Sequence, residues 1–135
     1  MKHVLAIDYG LKHIGIAIGQ TITRSANGIT TVKAKNGHPN WIELCEILRE
    51  HAPSIIIVGN PLNMDGSPSE MSKKAGEFAI KLGKKIKIPI TLVDERLTSK
   101  EAKEIISTQY TIKKSSNKVH ELAACLIAET WLNSN

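Results

Sequence analysis

The chain has 135 residues, the usual length of a single domain built around one hydrophobic core. Hydrophobic residues make up 41% and charged residues 23% of it, which excludes an intrinsically disordered chain; no apolar run is long enough for a membrane span or a secretory leader, so we expect a cytoplasmic protein. The formal charge of +5 is compatible with a polyanionic partner but does not require one.

Three short β-rich runs open the chain, at residues 3–9, 13–19 and 26–33. The links between them are short and turn-like, so we predict an antiparallel meander. The hydrophobic period then changes to that of a helix, which Pro53 ends; the residues on its apolar face are Trp41, Leu44, Cys45 and Leu48.

Two continuous apolar runs, at 54–59 and 88–95, are typical of strands covered on both faces. Between them, the sequence Ser67-Pro68-Ser69-Glu70 predicts a helix with Ser67 as N-cap, continuing to about Lys85.

After the last strand, a capping-box pattern at Thr98 predicts a helix to about Ser107. The polar and basic stretch 109–117 is expected to be a loop. A final helix is predicted from about Asn117, with an apolar face that begins at Val119.

This order of elements predicts one α/β domain over residues 1–135, with a mixed five-stranded sheet: a three-stranded antiparallel meander plus two parallel strands, with helices on both faces. In such sheets, ligands bind at the carboxyl ends of the parallel strands. Asp8, the loop 59–67, Asp94 and Glu95 all fall at that edge, and this convergence is the main physical indication of a site.

Asp8 ends an apolar strand, and the glycines at positions 10 and 15 leave its carboxylate uncovered. Such an acid either caps a turn or holds a divalent metal. Asp94 and Glu95 point to opposite faces of their strand, so only one can face Asp8. The other is expected to pair locally, with Arg96 or a helix N-terminus.

Several motifs together resemble the YqgF/RuvX family: Asp8-x-Gly10, IGIAIG, VGNPLNMDGS, DERLTS and the Ala-Ala pair of the last helix. The likeness spans nearly the whole chain. It implies an RNase H-like fold related to Holliday junction resolvases, and a nuclease that processes the 5′ end of small-subunit ribosomal RNA precursors (pre-16S rRNA). It also implies acids at Asp8 and Glu95 and a third acid at the start of the last helix.

The chain departs from the family pattern at that third position, where His120 stands in place of the expected Asp. Glu121 is adjacent, but one helical step turns it about 100° away. A neutral imidazole suits manganese or zinc better than magnesium. His120 is therefore a third ligand, a proton carrier, or a residue that only fills space or hydrogen-bonds Glu95.

From these residues we predict metal-assisted hydrolysis of phosphodiester bonds with magnesium or manganese. Asp8 and Glu95 are the expected metal ligands, and His120 is the third catalytic residue, with Glu121 in reserve. The second half of the chain carries most of the excess positive charge. Phosphates of the substrate are expected to contact Arg96, Lys113, Lys114 and Lys118.

Three alternatives stay open from the sequence: a catalytically impaired nucleic-acid-binding protein, a resolvase of branched DNA, and a phosphate-handling ATPase. The last needs a second domain, for which the chain has no room. Cys45 and Cys125 have no CxxC spacing and are expected to be core residues in a reducing compartment. The sequence leaves the oligomeric state open.

Overall fold

The computed structural model describes residues 2–98, 101, 104, 108 and 118–134. The strands are β1 (His3–Asp8), β2 (His13–Gln20), β3 (Ser25–Lys35), β4 (His38–Pro39), β5 (Ile55–Asn60) and β6 (Ile90–Asp94). The helices are α1 (Trp41–Glu50), α2 (Glu70–Lys85) and α3 (Lys118–Ser134), and a single 3₁₀ turn spans Glu95–Leu97.

These strands form one sheet in the order β4-β3-β2-β1-β5-β6. The pairs from β1 to β4 are antiparallel, and β5 pairs in parallel with both β1 and β6. The predicted mixed α/β sheet is therefore confirmed, but over the described residues it has six strands and not the predicted five. The additional strand, β4, has two residues, too few to show a hydrophobic alternation. A tight turn at Asn36 and Gly37 brings β4 back against β3. The φ angles of these two residues, 51° and 83°, are those that Asn-Gly hairpins favour.

Helices cover the sheet on both faces, as the alternating side chains of β1 illustrate. Leu5 and Ile7 pack in the core beneath α1 and α2, whereas Val4 and Ala6 pack against α3. Helices on both faces are thus confirmed. Because side chains alternate along a strand, Asp8 lies on the α3 face, while Tyr9, the next residue, packs on the α1–α2 face.

Helix α2 begins later than predicted. Its N-cap is Ser69, which exchanges hydrogen bonds with Ser72: the Ser72 amide donates to Ser69 Oγ at 3.0 Å, and the Ser69 amide to Ser72 Oγ at 2.7 Å. The predicted N-cap, Ser67, instead donates its amide and hydroxyl to the Asp65 carboxylate. Glu70 is consequently the first helical residue and not the third.

The last strand is also shorter than predicted, since it ends at Asp94 and Glu95 enters the 3₁₀ turn. Most of the predicted helix from Thr98 to Ser107, and the whole predicted loop 109–117, lie outside the described residues. The two cysteines are buried free thiols, as expected of core residues. None of the helices that the structure describes has the length and apolar character needed to cross a bilayer.

Candidate active site

Asp8 lies at the carboxyl end of β1, where its cross-strand partner on β2 is Gly15. As a whole, the residue is half-buried. Burial among protein atoms, and then the negative charge of Glu95, raise the pKa of Asp8 to about 7. Asp8 is therefore a carboxyl group that is hard to ionise unless a cation is near.

Glu95 reaches the same edge from β6. A Cβ added to Gly59, at the end of β5, would lie 2.8 Å from Glu95 Oε2 and 2.6 Å from Ile127 Cδ1. The carboxylate therefore rests on the bare backbone of β5, the strand between β1 and β6. From there its charge acts on Asp8, so the end of β1 and the turn after β6 each contribute an acid to this edge.

Asp94 is the acid that pairs locally. Its carboxylate accepts from the Arg96 backbone amide at 2.9 Å and forms a salt bridge with the Arg96 guanidinium at 2.7 Å. Arg96 Nη1 also donates to the Met64 carbonyl at 3.4 Å. This arrangement confirms the expected local pairing and fixes Arg96, which stays exposed, against the loop that precedes α2.

His120 lies in the first turn of α3, directly above β2. A Cβ on Gly15 would come within 2.1 Å of the His120 carbonyl oxygen, so the helix backbone touches the strand opposite Asp8. The His120 ring stacks on His13, with ring centroids 4.6 Å apart and planes at 18°. Burial, and then the charge of His13, lower the pKa of His120, which favours the neutral imidazole.

Of the remaining predicted residues, the structure describes Glu121 and Lys118. Glu121 packs on β3, where a Cβ on Gly28 would lie 2.7 Å from Glu121 Oε1; its role as a reserve ligand stays a prediction. Lys118 is exposed at the start of α3. Lys113 and Lys114 lie outside the described residues.

Two features of the site were missed from the sequence. His13, the stacking partner of His120, had no local motif to mark it. Gly59 ends an apolar strand, and a glycine there signals close approach of another group; this signal was present but was interpreted only as the end of the strand.

The donor set fits a divalent cation in one particular way. Among the described residues, no group of three or more His, Cys, Asp or Glu side chains is arranged to hold a metal. Magnesium, however, keeps several waters and is commonly bound by one or two carboxylates together with substrate phosphates. Asp8 and Glu95 fit such an open site, and they do not form a closed structural one.

Gly15→Ala is expected to destabilise the fold by about 2–3 kcal/mol, because the new methyl group would overlap the His120 backbone and push α3 off the sheet. The matched control is Gly76→Ala in α2, where no atom lies within 4 Å of the new Cβ. This control should gain about 0.5–1 kcal/mol. Urea unfolding measures both, and equal stabilities for the two variants would contradict the described contact between α3 and β2.

Comparison with known proteins gives three kinds of match. The model of the RuvX family, described as Holliday junction resolvase, matches residues 2–134. A Haemophilus ducreyi protein named "Putative pre-16S rRNA nuclease" is 41% identical over 133 residues, covering 98% of this chain and 96% of its own. A Pseudomonas putida protein of the same name is 42% identical over 137 residues, covering 100% and 97%.

Solved structures agree on the fold. The Thermus thermophilus RuvC structure in complex with a Holliday junction substrate superposes with a TM-score of 0.64 at 17% identity, covering 99% of this chain and 95% of that one. The fowlpox virus Holliday junction resolvase superposes with a TM-score of 0.51 at 12% identity and covers 98% of each chain. At these identities the likeness establishes the architecture alone.

Proposed function

The chain belongs to the RuvX family, and from that premise we propose that it is a nuclease that hydrolyses phosphodiester bonds. The observation that carries the proposal is the electrostatic coupling of Asp8 and Glu95. Burial of Asp8, and then the negative charge of Glu95, raise the pKa of Asp8 to about 7, so a cation bound at this edge would favour its ionised form. Strongly perturbed acids at a sheet edge are typical of active sites.

Asp8 and Glu95 would hold a divalent ion, magnesium or manganese. When bound, such an ion lowers the pKa of a water molecule and neutralises charge on the scissile phosphate. The chain's own part is to supply two oxygen ligands, Asp8 at the end of β1 and Glu95 in the 3₁₀ turn after β6, and to present Arg96 beside them. Because Asp94 and the Met64 carbonyl hold the Arg96 guanidinium in place, it is ordered before a phosphate arrives.

His120 is proposed as the third member of the site, either as a ligand or as the carrier of a proton. Its lowered pKa keeps the ring neutral near pH 7, and a neutral ring nitrogen can accept a proton from water. Stacking on His13 restricts the orientation of this ring.

For the substrate, we propose the 5′ region of pre-16S ribosomal RNA, processed in the cytoplasm by residues 1–135 acting as one domain. Support comes from the relatives that carry this name at about 41% identity over nearly their full length. Branched DNA is the second candidate, because the structural neighbour RuvC is bound to a Holliday junction.

The direct test is cleavage of a labelled pre-16S transcript and of a four-way DNA junction with added magnesium or manganese. Glu95→Gln should reduce the cleavage rate at least about 100-fold. Mutating a residue that only hydrogen-bonds to a metal ligand already lowers metal affinity or activity by about 10–100-fold. The matched control Glu50→Gln removes the same charge from the exposed end of α1 and should cleave normally. Wild-type activity in Glu95→Gln, or full activity in excess chelator, would contradict the carboxylate site.

Binding to nucleic acid is expected to weaken steeply with salt, because each neutralised phosphate releases counterions. Replacing Lys113, Lys114 and Lys118 together by Ala should lower the slope of log K against log salt by about 2–3, since each phosphate that is no longer neutralised accounts for roughly 0.7–0.9. Fluorescence anisotropy with a catalytically inactive variant measures this slope. An unchanged slope would move the phosphate-binding surface to the lysines of α2.

A further inference from the structure

A pocket of about 140 Å³ opens beside Tyr9, on the sheet face that carries α1 and α2. Its wall includes Tyr9, Trp41 and Phe78, three of the five aromatic residues of the chain. Polar groups complete it: the Asn36–His38 turn between β3 and β4, and Lys74, Glu77 and Lys81 of α2. Neither Asp8 nor Glu95 borders this cavity, so it is separate from the paired acids.

The aromatic wall is built before any ligand binds. Phe78 is buried and stacks with Tyr9 at a centroid distance of 4.5 Å and with Trp41 at 5.5 Å. The Tyr9 hydroxyl donates to the Gly37 carbonyl at 2.8 Å. Gly37 has φ of 83° and no room for a Cβ against that hydroxyl, so the turn is fixed on Tyr9. A pocket that is already ordered loses little conformational freedom on binding.

The rim is positively charged where it meets solvent. Lys74 and Lys81 line the pocket and are exposed two helical turns apart on α2. Aromatic surface bordered by lysines is the combination with which proteins bind unpaired nucleotides, through stacking of the base and attraction of the phosphate. Glu77, on the same rim, can accept hydrogen bonds from the N–H groups of a base.

The size of the pocket limits which ligands can fit in it. Pockets for whole drug-sized molecules measure about 300–1,000 Å³, so 140 Å³ has room for one flat ring system but not for a complete nucleotide. A base can enter only when it is out of its stack. The sugar and phosphate would then stay outside, at the level of Lys74 and Lys81.

The pocket and the candidate active site are connected through neighbouring residues of the chain. Tyr9 follows Asp8 directly, with Cα atoms about 3.8 Å apart, and the two side chains point to opposite faces at the same edge of the sheet. We propose that this pocket binds one unpaired nucleobase of the substrate strand, as the strand crosses this edge on its way to Asp8. The position of that base would set which phosphodiester bond reaches the acids. This role rests on the proposed nuclease function, whereas binding of the base itself does not.

The test is a titration of the full chain, carrying Asp8→Asn, with AMP, GMP, CMP and UMP, followed by amide and indole chemical shifts in NMR. Ribose 5-phosphate serves as the probe that keeps sugar and phosphate but lacks the base. We expect the nucleotides to shift the signals of Gly37 and the Trp41 indole, and ribose 5-phosphate to leave them in place. Equal shifts with ribose 5-phosphate, or no shifts with any nucleotide, would overturn the proposal.

Two double variants that remove the same amount of charge distinguish the lysines that line the pocket from the other lysines of α2. Lys74→Ala/Lys81→Ala should weaken mononucleotide binding several-fold, whereas the matched control Lys73→Ala/Lys84→Ala, also exposed on α2 but outside the pocket, should bind as the parent does. Trp41→Leu should weaken binding by roughly tenfold or more, the usual loss for one stacking aromatic. Equal losses in both lysine pairs would show general charge attraction and overturn the pocket assignment.

Cleavage assays keep this proposal distinct from the nuclease function. If wild type cleaves but the pocket binds no nucleotide, only the base-binding proposal fails. If bases bind but no substrate is cleaved, only the nuclease proposal fails. If both hold, Trp41→Leu should broaden the distribution of cleavage positions on a single-stranded RNA while cleavage still depends on Glu95.

Discussion

Asp8→Asn is expected to abolish cleavage, with a rate at least about 10³-fold below wild type, equivalent to roughly 4 kcal/mol of transition-state stabilisation. The amide keeps the size of the carboxyl group but cannot carry its charge. Because Asp8 ends a strand beside glycines, the substitution should leave the fold intact. The measurement is single-turnover cleavage of the labelled precursor at saturating metal.

The same variant should be more stable than wild type at neutral and alkaline pH when no metal is present. The pKa of Asp8 is about 7 in the folded chain, above the ordinary 3.8, so between about pH 4 and 7 the folded state holds a proton that the unfolded state has lost. Stability linked to Asp8 is therefore full below about pH 4 and is lost as the pH rises to about 7. Asp8→Asn removes this loss, on the order of a few kcal/mol.

Asp65→Asn is the control for this pH effect, since hydrogen bonds from Ser67 lower the pKa of Asp65. That shift has the opposite sign, so removing the Asp65 carboxylate should reduce stability above about pH 4 and not increase it. Urea unfolding from about pH 4 to 8 compares the three proteins. If Asp8→Asn loses stability at alkaline pH and still cleaves, Asp8 is a structural residue and the proposed site is wrong.

The architecture could be predicted from the sequence because each hydrophobic pattern, such as the alternation along a strand, was compatible with one kind of element only. Alternation along β1 separates Val4 and Ala6 from Leu5 and Ile7. The same rule predicted that only one of Asp94 and Glu95 would face Asp8, while the other paired locally with Arg96 or a helix N-terminus. The family model confirms the resemblance to the YqgF/RuvX family. The roles of Asp8, Glu95 and His120 in catalysis stay predictions.

The errors arose where local sequence allowed two solutions. Ser67 and Ser69 both look like N-caps, and only the hydrogen bonds from Ser67 to Asp65 decide for Ser69. The stacking of His13 on His120 joins opposite ends of the chain and depends on how α3 docks on β2, which no local motif encodes.

His120→Asp is expected to raise magnesium-dependent cleavage by about tenfold or more and to reduce the preference for manganese. Magnesium favours hard oxygen ligands in strict octahedral geometry, whereas manganese accepts imidazole more readily. Wild type should therefore prefer manganese, and because burial and then the charge of His13 lower the pKa of His120, that preference should extend to lower pH than for an ordinary histidine. Cleavage rates with each ion, measured from about pH 5.5 to 8, test both statements.

The new carboxylate should also change stability in a direction that depends on metal. Without metal it adds a negative charge near Asp8 and Glu95 and should lower the melting temperature. With metal it should give a larger stabilisation than wild type gains, because binding to the folded state alone stabilises by mass action. The matched control His13→Asp makes the same replacement in the ring that stacks on His120, and it should not confer the magnesium preference. If wild type already prefers magnesium and His120→Asp changes neither rate nor metal-dependent melting, position 120 lies outside the site, and Asp8 and Glu95 alone hold the ion.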